Sequence, residues 1–279
     1  MTIARDWNGA DYDRLSTPME AMGLEVLERL PLRGDETVID AGCGSGRVTQ
    51  ALLERLPRGR VIGVDGSASM IAAARERLGE DPRLRLVVAD LTELDLAQHL
   101  GGTPADAILS TATFHWIGDH ALLFGRLRTA LRDGGRLVAQ CGGAGNIAAI
   151  HAAAQAVGEE QPYAGHLAGW DGPWRFPAPA ETEHLLAAAG FATARAWLED
   201  RPVTPEDPRA YLREINLGAH LEQLPQELRD GFVEAVLGRV GFADPSRQEQ
   251  ETHRVGFADP SRQGAVLIAY VRLNIDATA

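Results

Sequence analysis

Residues 37–46 read Thr37-Val38-Ile39-Asp40-Ala41-Gly42-Cys43-Gly44-Ser45-Gly46. Thr37, Val38 and Ile39 are β-branched and suit a buried strand. Asp40 stands at the strand tip, and glycine then takes every second position. An amphipathic stretch, 48–56, follows at once. Strand, glycine turn and helix in this order open a nucleotide-binding βαβ unit. Glycines are expected there for two reasons: the turn demands backbone angles that other residues resist, and a side chain would keep the backbone from a ligand. The helix start adds unpaired N–H groups and the positive end of a dipole. Taken alone, the loop fits equally a tight turn that binds nothing, so its neighbours have to decide.

Downstream, 60–65 reads RVIGVD, a short apolar strand closing on Asp65, 25 positions after Asp40. In a βαβ unit this carboxylate lies at the second strand tip, where its two oxygens can accept from both hydroxyls of a ribose. Ser67 is placed to cap the next helix, which stops at Gly79. A third strand, 84–89, ends in Asp90 and Leu91, again 25 positions on. That pair can hold an adenine, the acid accepting from the exocyclic amine and the leucine covering the ring. A fourth strand at 107–111 leads into ATFHWIGDH, then a helix at 121–131 and a fifth strand at 136–141. Two stretches, 147–176 and 205–263, break the alternation; between them lie a helix at 180–190 and a strand at 191–198, and 266–275 supplies the last strand. Ahead of the first strand, Met19, Met22, Val26, Leu27 and Leu30 recur at helical spacing before Pro31 and Gly34.

These elements predict an α/β fold, a Rossmann-like sheet with helical cap insertions. The expected division is 1–34 as N-terminal cap helices, 35–145 as cofactor-binding core, 146–178 as insertion, 179–204 as core continued, 205–263 as helical cap insertion and 264–279 as final strand. Within the second insertion RVGFADPSRQ occurs at 239–248 and again at 254–263. Two copies are too few for a solenoid, so a tandem duplication in a tolerant surface loop is expected.

The formal net charge of -12 argues against nucleic acid, which needs a basic face. All 27 basic residues are arginine. A lysine-bearing phosphate loop, a pyridoxal Schiff base and a lysine base are therefore excluded. A nicotinamide dehydrogenase fits poorly: the third glycine of G-x-G-x-x-G would be Arg47, and no Tyr-x-x-x-Lys pair exists. No apolar run approaches the roughly 20 residues of a membrane span, and the start of the chain has no apolar stretch for secretion, so a cytoplasmic protein is expected. Cys43 and Cys141 have neither disulfide-framework nor zinc spacing, and no metal is expected.

VIDAGCGSG at 38–46, the Asp65 strand tip, VVADL at 87–91 and ADAILSTATFHWIGD at 105–119 together resemble the successive motifs of class I S-adenosylmethionine-dependent methyltransferases. The resemblance implies a seven-stranded, mostly parallel sheet with its last strand antiparallel, and S-adenosyl-L-methionine as cofactor. It places Gly42, Gly44 and Gly46 against the methionine part, Asp65 at the ribose and Asp90 with Leu91 at the adenine, with Asp40, Gly66, Met70 and Ser110 also expected at the cofactor. WNGADY at 7–12, FHWIGDH at 114–120 and GFATARAWLEDRP at 190–202 are similar to the trans-aconitate and juvenile hormone acid methyltransferases, which methylate carboxylates. A small carboxylic acid is thus the implied partner, with Trp7, Tyr12, His115, Trp116 and Trp170 around it. His115, where trans-aconitate methyltransferases usually have glutamine, is the candidate catalytic residue, by position for a carboxylate acceptor or as base for a hydroxyl. Hydroxyl, C- or N-methylation and a cofactor-binding scaffold without turnover stay open beside carboxyl methylation.

Overall fold

A computed structural model describes residues 17–240 and 267–279. Trp7, Tyr12, the second repeat copy and all of the first beyond Val240 lie outside the described residues. The chain divides into two compact units: Met1–Ala144 with Trp174–Glu199 and Arg272–Ala279, and Gly145–Pro173 with Asp200–Val271.

The first unit is a seven-stranded sheet in the order β3-β2-β1-β4-β5-β7-β6. Its strands are β1 Thr37–Ala41, β2 Arg60–Asp65, β3 Leu84–Val88, β4 Ala105–Thr111, β5 Leu131–Gly142, β6 Thr193–Asp200 and β7 Val271–Thr278. β1 to β5 pair in parallel, while β7 runs antiparallel to β5. Successive side chains on a strand alternate between faces, and here both faces are covered, which is why the central strands are nearly continuous apolar runs. Ile39, Ile62, Ile108, Leu137 and Leu273 pack to one side with Leu123, Phe124 and Leu127. Val38, Val61, Leu109 and Val138 pack to the other with Val26, Leu27, Leu30, Leu52 and Leu53.

Helices α1 Thr17–Glu28, α2 Arg47–Arg55, α3 Ala68–Leu78, α4 Leu96–Leu100 and α5 His120–Ala130 alternate with these strands. The Ser67 cap on α3 forms, its hydroxyl accepting the Met70 N–H at 3.2 Å, and Gly79 ends the helix at φ +63°. The last strand differs from expectation. It begins at Val271 rather than 266, because 267–270 pairs elsewhere: Ile268 bridges Val203 and Tyr270 accepts from the Arg201 N–H at 2.8 Å.

The second unit is helical: α6 Ala148–Gly158, α7 Ala164–Leu167, α9 Pro208–Tyr211, a π turn Leu212–Asn216, α10 Gly218–Gln223 and α11 Gln226–Val240. The intervening α8, Pro179–Ala188, belongs to the first unit, as do Trp174 and Phe176, which the sequence placed in the insertion. Among the described residues no helix is long and apolar enough to cross a membrane.

Candidate active site

The three loop glycines have different jobs. Gly42 sits at φ +83°, and a Cβ there would lie 2.0 Å from Thr113 Oγ1. The same backbone donates from Gly42 and Cys43 N–H to Val64 O at 2.7 and 3.0 Å, locking the loop to β2. Gly46, at φ +84°, starts α2 and would press a Cβ to 2.9 Å from Leu78. Only Gly44, at φ +52°, has nothing within 4 Å of a built Cβ. The expectation that glycine keeps all three positions clear for a ligand therefore narrows to Gly44, since the other two are demanded by the chain's own packing.

Two carboxylates lie beneath the loop. Asp40 is buried; its Oδ2 accepts from Thr49 Oγ1 at 2.6 Å, while its buried Oδ1 finds no donor among the described residues. Burial pushes this carboxyl up to about 6, with the Thr49 bond opposing and the Asp65 charge adding to the rise. A buried acceptor without a donor is costly, so Oδ1 marks where a ligand's cationic donor would be matched. Asp65 is tied at both oxygens: Oδ2 accepts from the Gly44 N–H at 2.9 Å and Oδ1 from the Ser67 N–H at 2.8 Å. Burial raises its carboxyl too, against those two bonds. Each oxygen keeps a further lone pair, so Asp65 shapes the loop and can still meet two hydroxyls.

Asp90 is exposed and caps a 3₁₀ turn, Oδ1 accepting from the Thr92 N–H at 2.8 Å and Thr92 Oγ1 at 2.7 Å. Gly66 is also exposed. Three side chains expected at the cofactor are packed by protein instead. Leu91 is in the core beneath the sheet edge, Met70 faces inward from α3, and Ser110 Oγ donates to Ala41 O at 2.6 Å, joining β4 to β1. The apolar core claims the side chains of Leu91 and Met70, and a strand carbonyl that of Ser110.

His115 and Trp116, the residues expected beside an acceptor, stand on the 3₁₀ turn Phe114–Trp116, held by a bond between His120 Nε2 and Phe114 O at 3.0 Å and by the Arg175 N–H on His115 O at 2.9 Å. His115 is buried, and its Nδ1 accepts from the Gly142 N–H at 3.3 Å. Burial, then the positive charge of Arg272, then His120 hold its imidazole well below the usual histidine range. The ring is thus neutral near pH 7, and an accepting Nδ1 puts its proton on Nε2. Phe176 stacks on His115 at 6.0 Å, Trp174 stacks on Phe176 at 5.9 Å, and Trp116 tilts against Trp174 at 5.9 Å. These rings make one aromatic wall within the first unit. Trp170 belongs to the helical unit, where it packs edge-on to His220 at 4.9 Å and lines a cavity of about 270 Å³. Sequence reading missed Thr49, Thr113, Gly142 and Arg272. The first two carry no distinguishing signal, and the last pair become neighbours only through the antiparallel return of β7. Among the described residues no three His, Cys, Asp or Glu side chains cluster to hold a metal.

A methyltransferase-domain family model matches residues 39–137. Trans-aconitate 2-methyltransferase from Methylobacterium radiotolerans is 33% identical over 253 residues, covering 88% of this chain and 92% of the relative. The enzyme of that name from Acidovorax sp. is 30% identical over 248 residues with the same coverage. The chain belongs to the S-adenosylmethionine-dependent methyltransferases. Among solved structures, this methyltransferase is similar in fold to phosphoethanolamine N-methyltransferase 2 of Haemonchus contortus in complex with S-adenosyl-L-methionine, with a TM-score of 0.57 at 18% identity. That match covers all of this chain and 58% of the other. The Bacillus subtilis YcgJ protein gives a TM-score of 0.57 at 15% identity, covering 92% and 97% of the two chains. The cofactor is S-adenosyl-L-methionine, and the residues present fit it. Asp40 Oδ1 awaits a donor, Gly44 opens onto free space, and Asp65 offers two lone pairs beside it.

Proposed function

We propose that this methyltransferase esterifies a carboxylate of a small organic acid in the cytoplasm, with trans-aconitate the first acid to test. The observation that carries this reading is the Gly142 N–H on His115 Nδ1. With Nδ1 accepting, Nε2 carries the proton, and a donor cannot take a proton from an acceptor hydroxyl. A carboxylate is already ionised at pH 7 and needs no base. S-adenosyl-L-methionine, when bound, supplies an electrophilic methyl for in-line displacement. The chain's own work is then alignment and exclusion of water. In this reading Asp40 takes the ammonium of the cofactor, Asp65 and Gly66 its ribose, and Asp90 with the backbone at Leu91 its adenine. His115 Nε2–H holds the carboxylate oxygen that is not methylated, and the rings of Trp116, Trp174 and Phe176 keep water away. Relatives named for methylation of an acid, at 30–33% identity over most of the chain, support the same substrate class.

The test is incubation with methyl-labelled cofactor and a panel of acids, phenols and amines. The expected product is a base-labile methyl ester of a carboxylic acid, with His115→Gln keeping much of the turnover because it preserves a donor. A base-stable product, together with near-complete loss of turnover in His115→Gln, would move the assignment to hydroxyl methylation with His115 as base.

A further inference from the structure

The 3₁₀ turn Phe114–Trp116 is short, and its own main chain does little to hold it: the Trp116 N–H reaches Thr113 O and the Ile117 N–H reaches Phe114 O, each at 3.0 Å. It also starts from a strained junction. Ala112, the residue after β4, sits at φ +54°, left-handed backbone that a residue with a Cβ adopts only at a cost, and its N–H donates to Gln140 O at 2.8 Å. Strain of this kind persists only where the surroundings impose it. Arg175 supplies two of the restraints. Its N–H donates to His115 O at 2.9 Å and its Nη1 to Gly118 O at 2.5 Å, so one residue brackets the chain from His115 to Gly118. The remaining terminal nitrogen of the fork, Nη2, pairs with Glu181 in the first turn of α8. The residues on either side of Arg175 carry the aromatic wall, Trp174 against Trp116 and Phe176 on His115.

We propose that Arg175 is a positioning residue for methyl transfer, fixing through His115 O and Gly118 O the turn that sets His115 against the acceptor. This rests on the reading above, in which His115 Nε2–H holds the acceptor carboxylate. Two ties three residues apart restrain the tilt of the turn as well as its position, which one bond cannot do. The planar fork is itself kept from swinging, because Gly118 O engages one end and Glu181 the other. With side-chain exposures of 35% and 46%, the Arg175–Glu181 pair adds little to stability, so its effect falls on placement rather than on folding. In-line displacement is sensitive to placement, because a group moved by about an ångström no longer favours the near-attack geometry.

The experiment compares the full-length wild type with Arg175→Met and Arg175→Lys, using methyl-labelled cofactor and the acid of the panel that the wild type methylates, trans-aconitate first. Arg175→Met is expected to lower kcat about tenfold, the worth of a hydrogen bond from a charged group, while Kd for the cofactor stays within about twofold. Arg175→Lys keeps a donor for Gly118 O without the planar fork and should fall between. The same substitution is then made in His115→Ala. With no imidazole left to position, Arg175→Met should cost that background less than about twofold, whereas a merely structural role would cost both backgrounds equally. An unchanged kcat in Arg175→Met, a matching loss of cofactor affinity, or additive losses in the double variant would overturn the assignment. Should Arg175→Met not fold, Arg175→Lys decides on the same criteria, and should His115→Ala not fold, His115→Phe, which keeps a ring on Phe176, takes its place. Failure of the underlying reading looks different: either the wild type forms no base-labile ester from any acid, or His115→Ala turns over as fast as the wild type.

Discussion

Between Ala41 and Gly46 the shape of the loop is imposed by backbone angles and main-chain bonds to Val64. In the helical unit of Gly145–Pro173 and Asp200–Val271, shape comes from which side chains fill the interior: Phe232 lies between Tyr163 at 5.2 Å and His220 at 5.9 Å. The first kind of constraint tolerates almost no substitution at a few positions and is written in residue types that rarely occur for other reasons. The second spreads over many apolar positions, each replaceable by another of similar volume. A binding surface can therefore be held constant in the loop while the helical unit changes.

The largest effects are expected at the loop glycines. Gly42→Ala would put a Cβ into Thr113 and force an alanine to φ +83°. Overpacking and left-handed strain together should cost about 2–5 kcal/mol, seen as a large fall in the unfolding temperature. Gly44→Ala meets no atom within 4 Å and should cost only the strain, about 1–2 kcal/mol, while cofactor affinity falls more than stability. Thermal unfolding paired with binding calorimetry separates the two. Equal melting temperatures for both variants would mean that the loop is not held by Thr113.

In the helical unit the sharpest position is His220, buried against Trp170 and Phe232. Burial, with a smaller push from His151, lowers its imidazole to about 4. The folded state thus binds the proton more weakly than the unfolded chain, whose histidine titrates near 6.5. Stability is full above that value and is lost as pH falls toward 4. At 1.36 kcal/mol per unit the loss is about 3 kcal/mol. His220→Gln should flatten that part of the profile, measured by urea unfolding at pH 7, 6 and 5. His115 and His120 are lowered as well and will keep a residual slope in the variant. A profile identical to the wild type would remove His220 from the balance.

This contrast explains what could be read from the sequence. The sheet was legible because apolar strands ending on Asp40, Asp65 and Asp90 recur at fixed spacing, and because glycine before a helix has a narrow set of causes. The antiparallel final strand came from resemblance alone, and its start was misplaced because 267–270 is as apolar as a strand but bonds to 201–203. At the candidate site, the sequence singles out the acids but not the groups that bond to them. No periodicity announces that Thr49 will bond Asp40, that Thr113 will close over Gly42, or that Arg272 will return beside Gly142. Such pairs are made by topology, with 130 positions between Gly142 and Arg272. Ser110, Leu91 and Met70 show a further limit: which way each side chain turns is settled by the core and by the Ala41 carbonyl, not by its place along the chain.

The smallest expected effect is also the most specific to the loop. Asp40 titrates at about 6 in the free protein, where burial opposes its charge and Oδ1 lacks a donor. A cofactor ammonium at Oδ1 would supply both charge and donor, so the bound form should favour the ionised acid, and binding below pH 6 must first expel a proton. With a value near 6, the ionised fraction falls from about ten-elevenths at pH 7 to about one-eleventh at pH 5. Affinity should therefore drop about tenfold over that interval, or about 1.4 kcal/mol. Asp40→Asn keeps the shape and the oxygen on Thr49, but it should bind more weakly at pH 7 and lose the pH dependence. Calorimetric titration of S-adenosyl-L-methionine at pH 7, 6 and 5 reads this directly, with circular dichroism at each pH confirming the fold. Wild-type affinity that is flat across the range would place the ammonium elsewhere. A slope surviving in Asp40→Asn would instead assign the titration to Asp65, the half-buried acid that holds the loop and whose carboxyl desolvation also raises.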